Sequence, residues 1–353
     1  MTMTPLARSH CFALCCALAL LCMPSFCSAP EGAPKDLAFE TSNFMLRTFY
    51  RDVPHLNPDS APDGAYGPVN RAWDQKHRGE WYIEEQRPGA DLVAGGIATK
   101  DTDAIDRGLL ILNWGFAQQQ SDGGFKCPDR FHSTSFFVEA VAHSLLLIEA
   151  SEYSARYSQT AADMKPKLLS AARWMTNPQN ETLGKKKNVP FTHRRYLVAG
   201  ALGETGILTG DSALIARSED YAREGILLQS ADGYNPERGG WDSSYNAIGV
   251  VFACRYYTIV ATGELKQALY KMLDRAVRWE ASRVNDAGEV ITEGNTRVGG
   301  KKTETGRSGK KKTVLFGYVC RAFYYWSLIS GDNAYEKLAD KVAQAAGQEP
   351  SPK

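Results

Sequence analysis

Three short, similar segments recur in the second half of this 353-residue chain. They are TGDSA at 209–213, TGEL at 262–265 and SGDNA at 330–334, and each follows an apolar run and precedes an amphipathic one. Glycine suits the left-handed residue that ends a helix, and the acidic residue after it suits the start of the next helix. Segments 97–101 and 149–151 occupy comparable places without the glycine. The chain is therefore predicted to be a repeated series of helical hairpins.

Two kinds of helix alternate between these turns. One kind is apolar nearly all round, as in 196–208, 245–262 and 314–329, and such helices are buried on most sides. The other kind carries charge on one face and belongs on the outside, as in 168–175, 218–228, 269–279 and 335–345. Strand signals are sparse, the best being 289–297 inside a loop. The pattern predicts an all-α fold, an incomplete α/α toroid of about five to six hairpins.

The predicted connections are unequal in length. Turns from inner to outer helices are short, whereas the loops from outer to inner helices are long and cover 53–88, 121–133, 177–192, 230–242 and 285–313. Because consecutive helices alternate in direction, every long loop emerges at the same end of the toroid, called the rim below. A rigid ring with long loops on one rim is predicted to form its ligand cleft there.

The N-terminus reads as a secretory signal peptide over residues 1–29. An uncharged apolar run at 11–23 follows Arg8 and His10, and small residues follow Pro24. A bilayer span needs about 20 apolar residues, so a retained anchor is the less favoured alternative. We expect a single α/α-toroid catalytic domain over 30–346, a disordered tail over 347–353, and a monomer that is secreted or periplasmic, without stable membrane insertion.

Charge and cysteine content exclude several classes of protein. Lys and Arg number 41 against 40 Asp and Glu, so no bulk basicity indicates a nucleic-acid partner. Outside the signal peptide only Cys127, Cys254 and Cys320 remain. Three cysteines this widely spaced form neither a disulfide framework nor a zinc site. No other metal-ligand spacing stands out, and we expect a reaction without a cofactor.

Two of the long loops are cationic although the whole chain is neutral. Residues 177–195 carry five Lys and Arg against one acid, and residues 285–313 carry seven against four. Either these runs are merely solvated or they bind a polyanion. Aromatic side chains near the same rim offer faces on which sugar rings stack: Trp73, Trp81, Tyr82, Phe125, Phe131, Tyr234 and Trp241. Together these features favour an acidic polysaccharide as the ligand.

Polar residues stand at the rim ends of otherwise apolar helices. His193 and Tyr196 share a helix face, Asp242 or Ser243 caps the helix that follows, and Tyr245 lies on its first turn. Catalysis is one reason for such residues; capping for Asp242 and packing for Tyr245 are the alternatives. His77 and His132 are further candidates, whereas His143 and Glu204 are expected to be structural.

The stretch GGWDSSYNAIG at 239–249, on a toroid background, resembles polysaccharide lyases of the alginate and glucuronan lyase type, polysaccharide lyase family 38 among them. The resemblance implies β-elimination on a uronic-acid chain, with Tyr245 catalytic. Placement adds His193 and Arg194 as catalytic candidates. The candidate substrate-binding residues are His132, Tyr196, Tyr234, Glu237, Arg238, Trp241, Asp242, Asn246 and Arg297.

The chemistry explains these residue types. Arg194, His193 or an asparagine would stabilise the enediolate-like charge that develops when the proton on C5 leaves. Either His193 is the base and Tyr245 the acid, or Tyr245 serves as both, which requires positive neighbours that favour a phenolate. Two alternatives stay open: a toroidal glycoside hydrolase using Glu237 and Asp242, or Asp122, as paired carboxylates, and a non-catalytic glycan-binding protein.

Overall fold

The computed structural model of the protein describes residues 40, 42, 45, 48–50, 81–299, 303–306 and 310–347, all within one compact unit spanning 34–353. The predicted signal peptide, residues 348–353 of the predicted tail, most of the 53–88 loop, Trp73 and His77 lie outside the described residues.

The described part of the chain contains eleven α-helices and no β-strand, which confirms the all-α prediction. A short 3₁₀ helix, Ile83–Gln86, precedes them. The α-helices are α1 Pro88–Thr99, α2 Thr102–Ala117, α3 Arg130–Ala150, α4 Ser158–Thr176, α5 Pro178–Asn188, α6 His193–Thr209, α7 Ser212–Leu228, α8 Ser243–Ile259, α9 Gly263–Ala281, α10 Phe316–Ser330 and α11 Asn333–Ala345.

Ten of these helices form five hairpins arranged as an incomplete toroid, as predicted. The inner helices α1, α3, α6, α8 and α10 each pack against the next, and α2, α4, α7, α9 and α11 pack outside them. An ion pair of 3.2 Å between Arg321 on α10 and Asp91 on α1 links the two ends of the inner row.

Two of the three tight turns form as the sequence predicts. The third, at 262–265, differs, because α8 ends at Ile259 and Gly263, φ 52°, is the first residue of α9. Gly210 and Gly331 adopt left-handed conformations with φ of 69° and 75°, and the carboxylates of Asp211 and Asp332 accept backbone N–H bonds at the start of the following helix. Lys100 takes the same conformation, φ 59°, before the capping residue Asp101. The hairpin at 97–101 therefore forms although it lacks a glycine.

One predicted loop is wrong, because part of 177–192 forms helix α5. Asn177 caps the helix through its side chain, Pro178 occupies the first turn, and the lysines at 185–187 fall in the last turn, where the helix dipole favours positive charge. The segment 289–297 forms no strand. An isolated β-bridge pairs Val290 in this segment with Val284.

Helix α3 is long and apolar enough to cross a membrane by length and composition, but it is wholly buried inside the protein, as core helices are. Deeper in the ring, buried ionic groups connect the inner helices. Arg255 pairs with Glu139 at 2.8 Å and Glu40 at 3.2 Å, and His143 lies 3.6 Å from both Glu40 and Glu204. Burial lowers the pKa of His143, but these carboxylates outweigh it and raise that pKa to about 9. His143 and Glu204 thus belong to the core of the ring.

Candidate active site

A cleft of about 740 Å³ opens at the rim where α3, α6, α8 and α10 begin. Side chains from the loops 121–133, 177–192 and 285–313 line it together with the first residues of the inner helices. Three of the five predicted long connections therefore meet at one rim, as predicted.

Tyr245 stands on the first turn of α8 and is positioned by a buried carboxylate. Asp242 accepts the backbone N–H of Tyr245 at 3.2 Å through Oδ1. Its Oδ2 accepts the backbone N–H groups of Arg297 at 2.7 Å and Val298 at 2.9 Å. Asp242 is therefore a cap, as predicted, and it also fixes the 285–313 loop beside Tyr245.

Two cations contact the phenol of Tyr245. Lys312 Nζ donates to the Tyr245 hydroxyl at 2.8 Å, and the Arg297 guanidinium carbon lies 3.4 Å from the centroid of its ring. These contacts hold the ring and the hydroxyl of Tyr245 between two cationic side chains that line the cleft.

Glu304 holds both cations in place. Its carboxylate accepts from Lys312 at 2.5 Å and from Arg297 at 3.0 Å, and it pairs with Arg238 at 2.9 Å. Burial raises the pKa of Glu304, but hydrogen bonds from Arg297 and Lys312 outweigh burial and lower it to about 2. The carboxylate is ionised at every pH at which the protein is expected to work.

His193, the first residue of α6, is oriented by Glu237. Glu237 Oε1 lies 2.6 Å from His193 Nδ1 and accepts the His193 backbone N–H at 3.1 Å. Its Oε2 accepts from Arg297 Nη1 at 3.1 Å. Because Glu237 accepts throughout, we assign the imidazole proton to Nδ1, which leaves a lone pair on Nε2. Burial lowers the pKa of His193 below 6.5, so the ring is neutral at pH 7. The rings of His193 and Tyr245 are 5.1 Å apart between centroids.

Arg194 lines the cleft beside them. Its Nη1 donates to Asn188 Oδ1 at 2.9 Å and lies 3.7 Å from Asp129, while its buried Nε has no hydrogen-bond partner among the residues that the structure describes. Burial lowers the pKa of Arg194 to about 10, which keeps the guanidinium charged at neutral pH. A charged guanidinium that lines the cleft suits an anionic ligand.

The structure brings together Tyr245, His193, Arg194, His132 and Arg297 on the cleft surface. The other predicted substrate-binding residues do not line the cleft. Four are fully buried: Glu237 and Asp242 position other groups, Asn246 donates to Glu280 on α9, and Tyr196 packs on Gly225. Tyr234 and Trp241 pack against each other, and Arg238 pairs with Glu304.

Several cleft residues were not among the site residues predicted from the sequence. Arg87, Lys187 and Lys312 join Arg194 and Arg297, so five cationic side chains face two acidic ones, Glu84 and Asp129. Tyr318 stands on the first turn of α10 as Tyr245 does on α8, a signal that was available in the sequence. Phe136 and Ile248 complete the apolar surface.

The paired carboxylates proposed for a hydrolase do not converge on this cleft. Glu237 and Asp242 are fully buried and saturated by the bonds described above. Asp122 lies in a separate groove with Trp174. Among the described residues, no cluster of three or more His, Cys, Asp or Glu residues has the arrangement of a metal site.

No protein-family model matches the chain, and neither does any curated protein. Solved structures of the chondroitin AC lyase of Streptomyces coelicolor A3 do match. One, in complex with chondroitin sulphate, has a TM-score of 0.54, and a mutant of the same enzyme has 0.53. Each is 12% identical to this chain and covers 92% of it, whereas this chain covers 46% of the lyase chain. The likeness shows the fold, a helical toroid, over less than half of the lyase's length.

Proposed function

We propose that the protein is a polysaccharide lyase that cleaves a uronic-acid-containing polysaccharide by β-elimination. One observation carries the proposal: the Tyr245 hydroxyl, bound by Lys312 and beneath Arg297, lies beside a neutral His193 in a cleft lined by five cationic and two acidic side chains. The toroid fold supports it, because the lyase with the similar fold was crystallised with chondroitin sulphate, an acidic polysaccharide.

Substrate binding places the uronate carboxylate on Arg194. The proton on C5 of a uronate is weakly acidic while that carboxylate carries its full charge, and the positive charge of the Arg194 guanidinium stabilises the enediolate-like intermediate. Loss of one such donor typically costs about 10²–10³-fold in rate.

His193 Nε2 then removes the C5 proton, and the electron pair of the C5–H bond forms a double bond between C4 and C5. The bond between C4 and the glycosidic oxygen breaks, and Tyr245 donates its proton to that oxygen. Lys312 and Arg297 stabilise the resulting phenolate. The proton on His193 returns to Tyr245 through solvent. Glu237 keeps Nδ1 protonated and orients the ring throughout.

The second scheme, in which Tyr245 removes the proton and also donates it, uses the same two cations. The neutral, Glu237-oriented His193 favours the scheme with two residues. With the signal peptide predicted from the sequence, we propose that the enzyme is secreted or periplasmic.

Digestion of a panel of polymers tests the proposal. Alginate and glucuronan follow from the sequence resemblance, chondroitin sulphate from the structural neighbour, and a neutral glucan serves as control. A lyase produces unsaturated, ultraviolet-absorbing ends on at least one uronate polymer and none on the glucan. Reducing ends without unsaturation would indicate a hydrolase, and intact polymers that nevertheless bind would indicate a glycan-binding protein.

A further inference from the structure

A second groove adjoins the cleft on the far side of Pro128. It has a volume of about 690 Å³ and is lined by Trp81, Gln120, Lys126, Cys127, Pro128 and Arg130; we call it the Trp81 groove. Pro128 lines both spaces. The neighbours Tyr82 and Asp129 line the cleft, while Trp81 and Arg130 line the groove. The two spaces are therefore adjacent along the rim.

The Trp81 groove carries the groups that bind an acidic sugar. Trp81 is partly exposed and packs edge-to-face on Trp114, with 5.5 Å between ring centroids, which limits its movement. Lys126 is exposed and makes no ion pair with any residue that the structure describes. Arg130 donates to the Phe125 carbonyl at 2.8 Å and pairs with Asp122 at 3.4 Å, so Lys126 is the cation left for a ligand, and Gln120 offers an exposed amide. An aromatic surface beside an uncommitted ammonium suits a sugar ring that bears an anionic group.

The size of the groove indicates what occupies it. With about 690 Å³ beside about 740 Å³, it nearly doubles the space available along the rim, and both volumes are in the range of sites that enclose a ligand. A polymer chain that leaves the reacting unit past Pro128 enters this groove directly.

We propose that the Trp81 groove binds further sugar units of the same acidic polysaccharide chain, beyond the unit that reacts, and that Trp81 and Lys126 set a preference for long substrates. This inference rests on the proposed lyase function. Binding energy gained at a remote site lowers the barrier for long chains and is lost with short ones. An aromatic contact of this kind corresponds to about a tenfold effect.

The test compares two substrate lengths and two surfaces. The variants are Trp81→Ala and Lys126→Glu; the second alters an exposed side chain and leaves core packing intact. The control is Tyr270→Ala with Lys271→Ala, an aromatic and a lysine that line a separate groove with Tyr257 on α8 and α9. For each protein, kcat/KM is measured on the polymer that the wild type cleaves and on the trisaccharide of that polymer.

We expect each groove variant to lower kcat/KM on the polymer about tenfold and to leave the trisaccharide unchanged, with no effect of the control. Equal losses at both lengths, or no loss with Lys126→Glu, would overturn the inference. If the wild type cuts none of the three uronate polymers, the lyase proposal fails separately. In that case the affinity of the same variants for alginate, glucuronan and chondroitin sulphate tests whether the Trp81 groove binds the polymer. Weaker binding than that of the wild type supports the inference, and unchanged binding refutes it.

Discussion

Replacement of Tyr245 by phenylalanine removes a single oxygen atom and so distinguishes a catalytic role of the hydroxyl from a packing role of the ring. The change removes the hydroxyl and the hydrogen bond from Lys312 at 2.8 Å, while the ring keeps its contact with Arg297. Lys312 retains its bond to Glu304 at 2.5 Å. Since the hydroxyl is at the cleft surface, water replaces it, and we expect a loss of stability under about 2 kcal/mol.

The expected effect on rate is much larger. A positioned proton donor contributes about 10²–10⁴-fold, which is about 3–5 kcal/mol of the barrier. If Tyr245 protonates the glycosidic oxygen, kcat falls by at least about 10²-fold while polymer affinity stays nearly constant, because the hydroxyl acts mainly in the transition state.

The assay measures the formation of unsaturated ends, with thermal unfolding and equilibrium polymer binding of the same sample. Tyr318→Phe is the matched control, since Tyr318 also lines the cleft on the first turn of an inner helix but its hydroxyl accepts no hydrogen bond from any lysine that the structure describes. Its kcat is expected to stay close to that of the wild type. A near-normal kcat for Tyr245→Phe would show that the hydroxyl moves no proton and would refute the mechanism.

Four further outcomes follow from the same geometry. Because burial lowers the pKa of His193 below 6.5 and the neutral ring is the base, kcat/KM should rise with pH through a value below 6.5 and level off at neutral pH; an acidic limb centred above 6.5 would contradict this. Glu304→Gln should lower kcat and the melting temperature. In the folded protein the pKa of Glu304 is about 2, below the ordinary 4.5, so the stabilisation that its ionised carboxylate provides is fully present above pH 4.5. It is lost as the pH falls toward 2, where the variant and the wild type should melt alike. Asp242→Ala leaves three buried backbone N–H groups without their acceptor and should destabilise the protein by several kcal/mol in denaturant titrations, at about 1–3 kcal/mol for each donor. Neutralising Lys310 and Lys311 should weaken polymer binding at low salt and flatten its salt dependence, and an unchanged salt response would show that these lysines do not contact the polymer.

The helical ring was predictable because its signals are local. The glycine and aspartate of the turns at 209–213 and 330–334 and the apolar inner helices are visible in the sequence, and Gly210, Asp211, Gly331 and Asp332 adopt the predicted roles. Helix α5 was missed because it lies on the surface. Only Gly184 and Asn188 are buried in it, so no apolar stripe marks its period.

The candidate site was predictable only in part. Tyr245 and His193 stand out as polar residues at the start of buried helices. Lys312 and Glu304 lie about 60 residues further along the chain in a loop, and nothing local indicates that their side chains meet Tyr245. The cap function of Asp242 is a local feature and was predicted. The bond that its second carboxylate oxygen accepts from the distant residue Arg297 was not predicted.

A structure of the Tyr245→Phe variant with an oligosaccharide of the cleaved polymer tests the central claim most directly. We expect a uronate in the cleft with its carboxylate on Arg194, C5 next to His193 Nε2, and the glycosidic oxygen beside the position of the missing hydroxyl. A sugar chain bound with its carboxylate away from Arg194, or with C5 out of reach of both His193 and residue 245, would contradict the account.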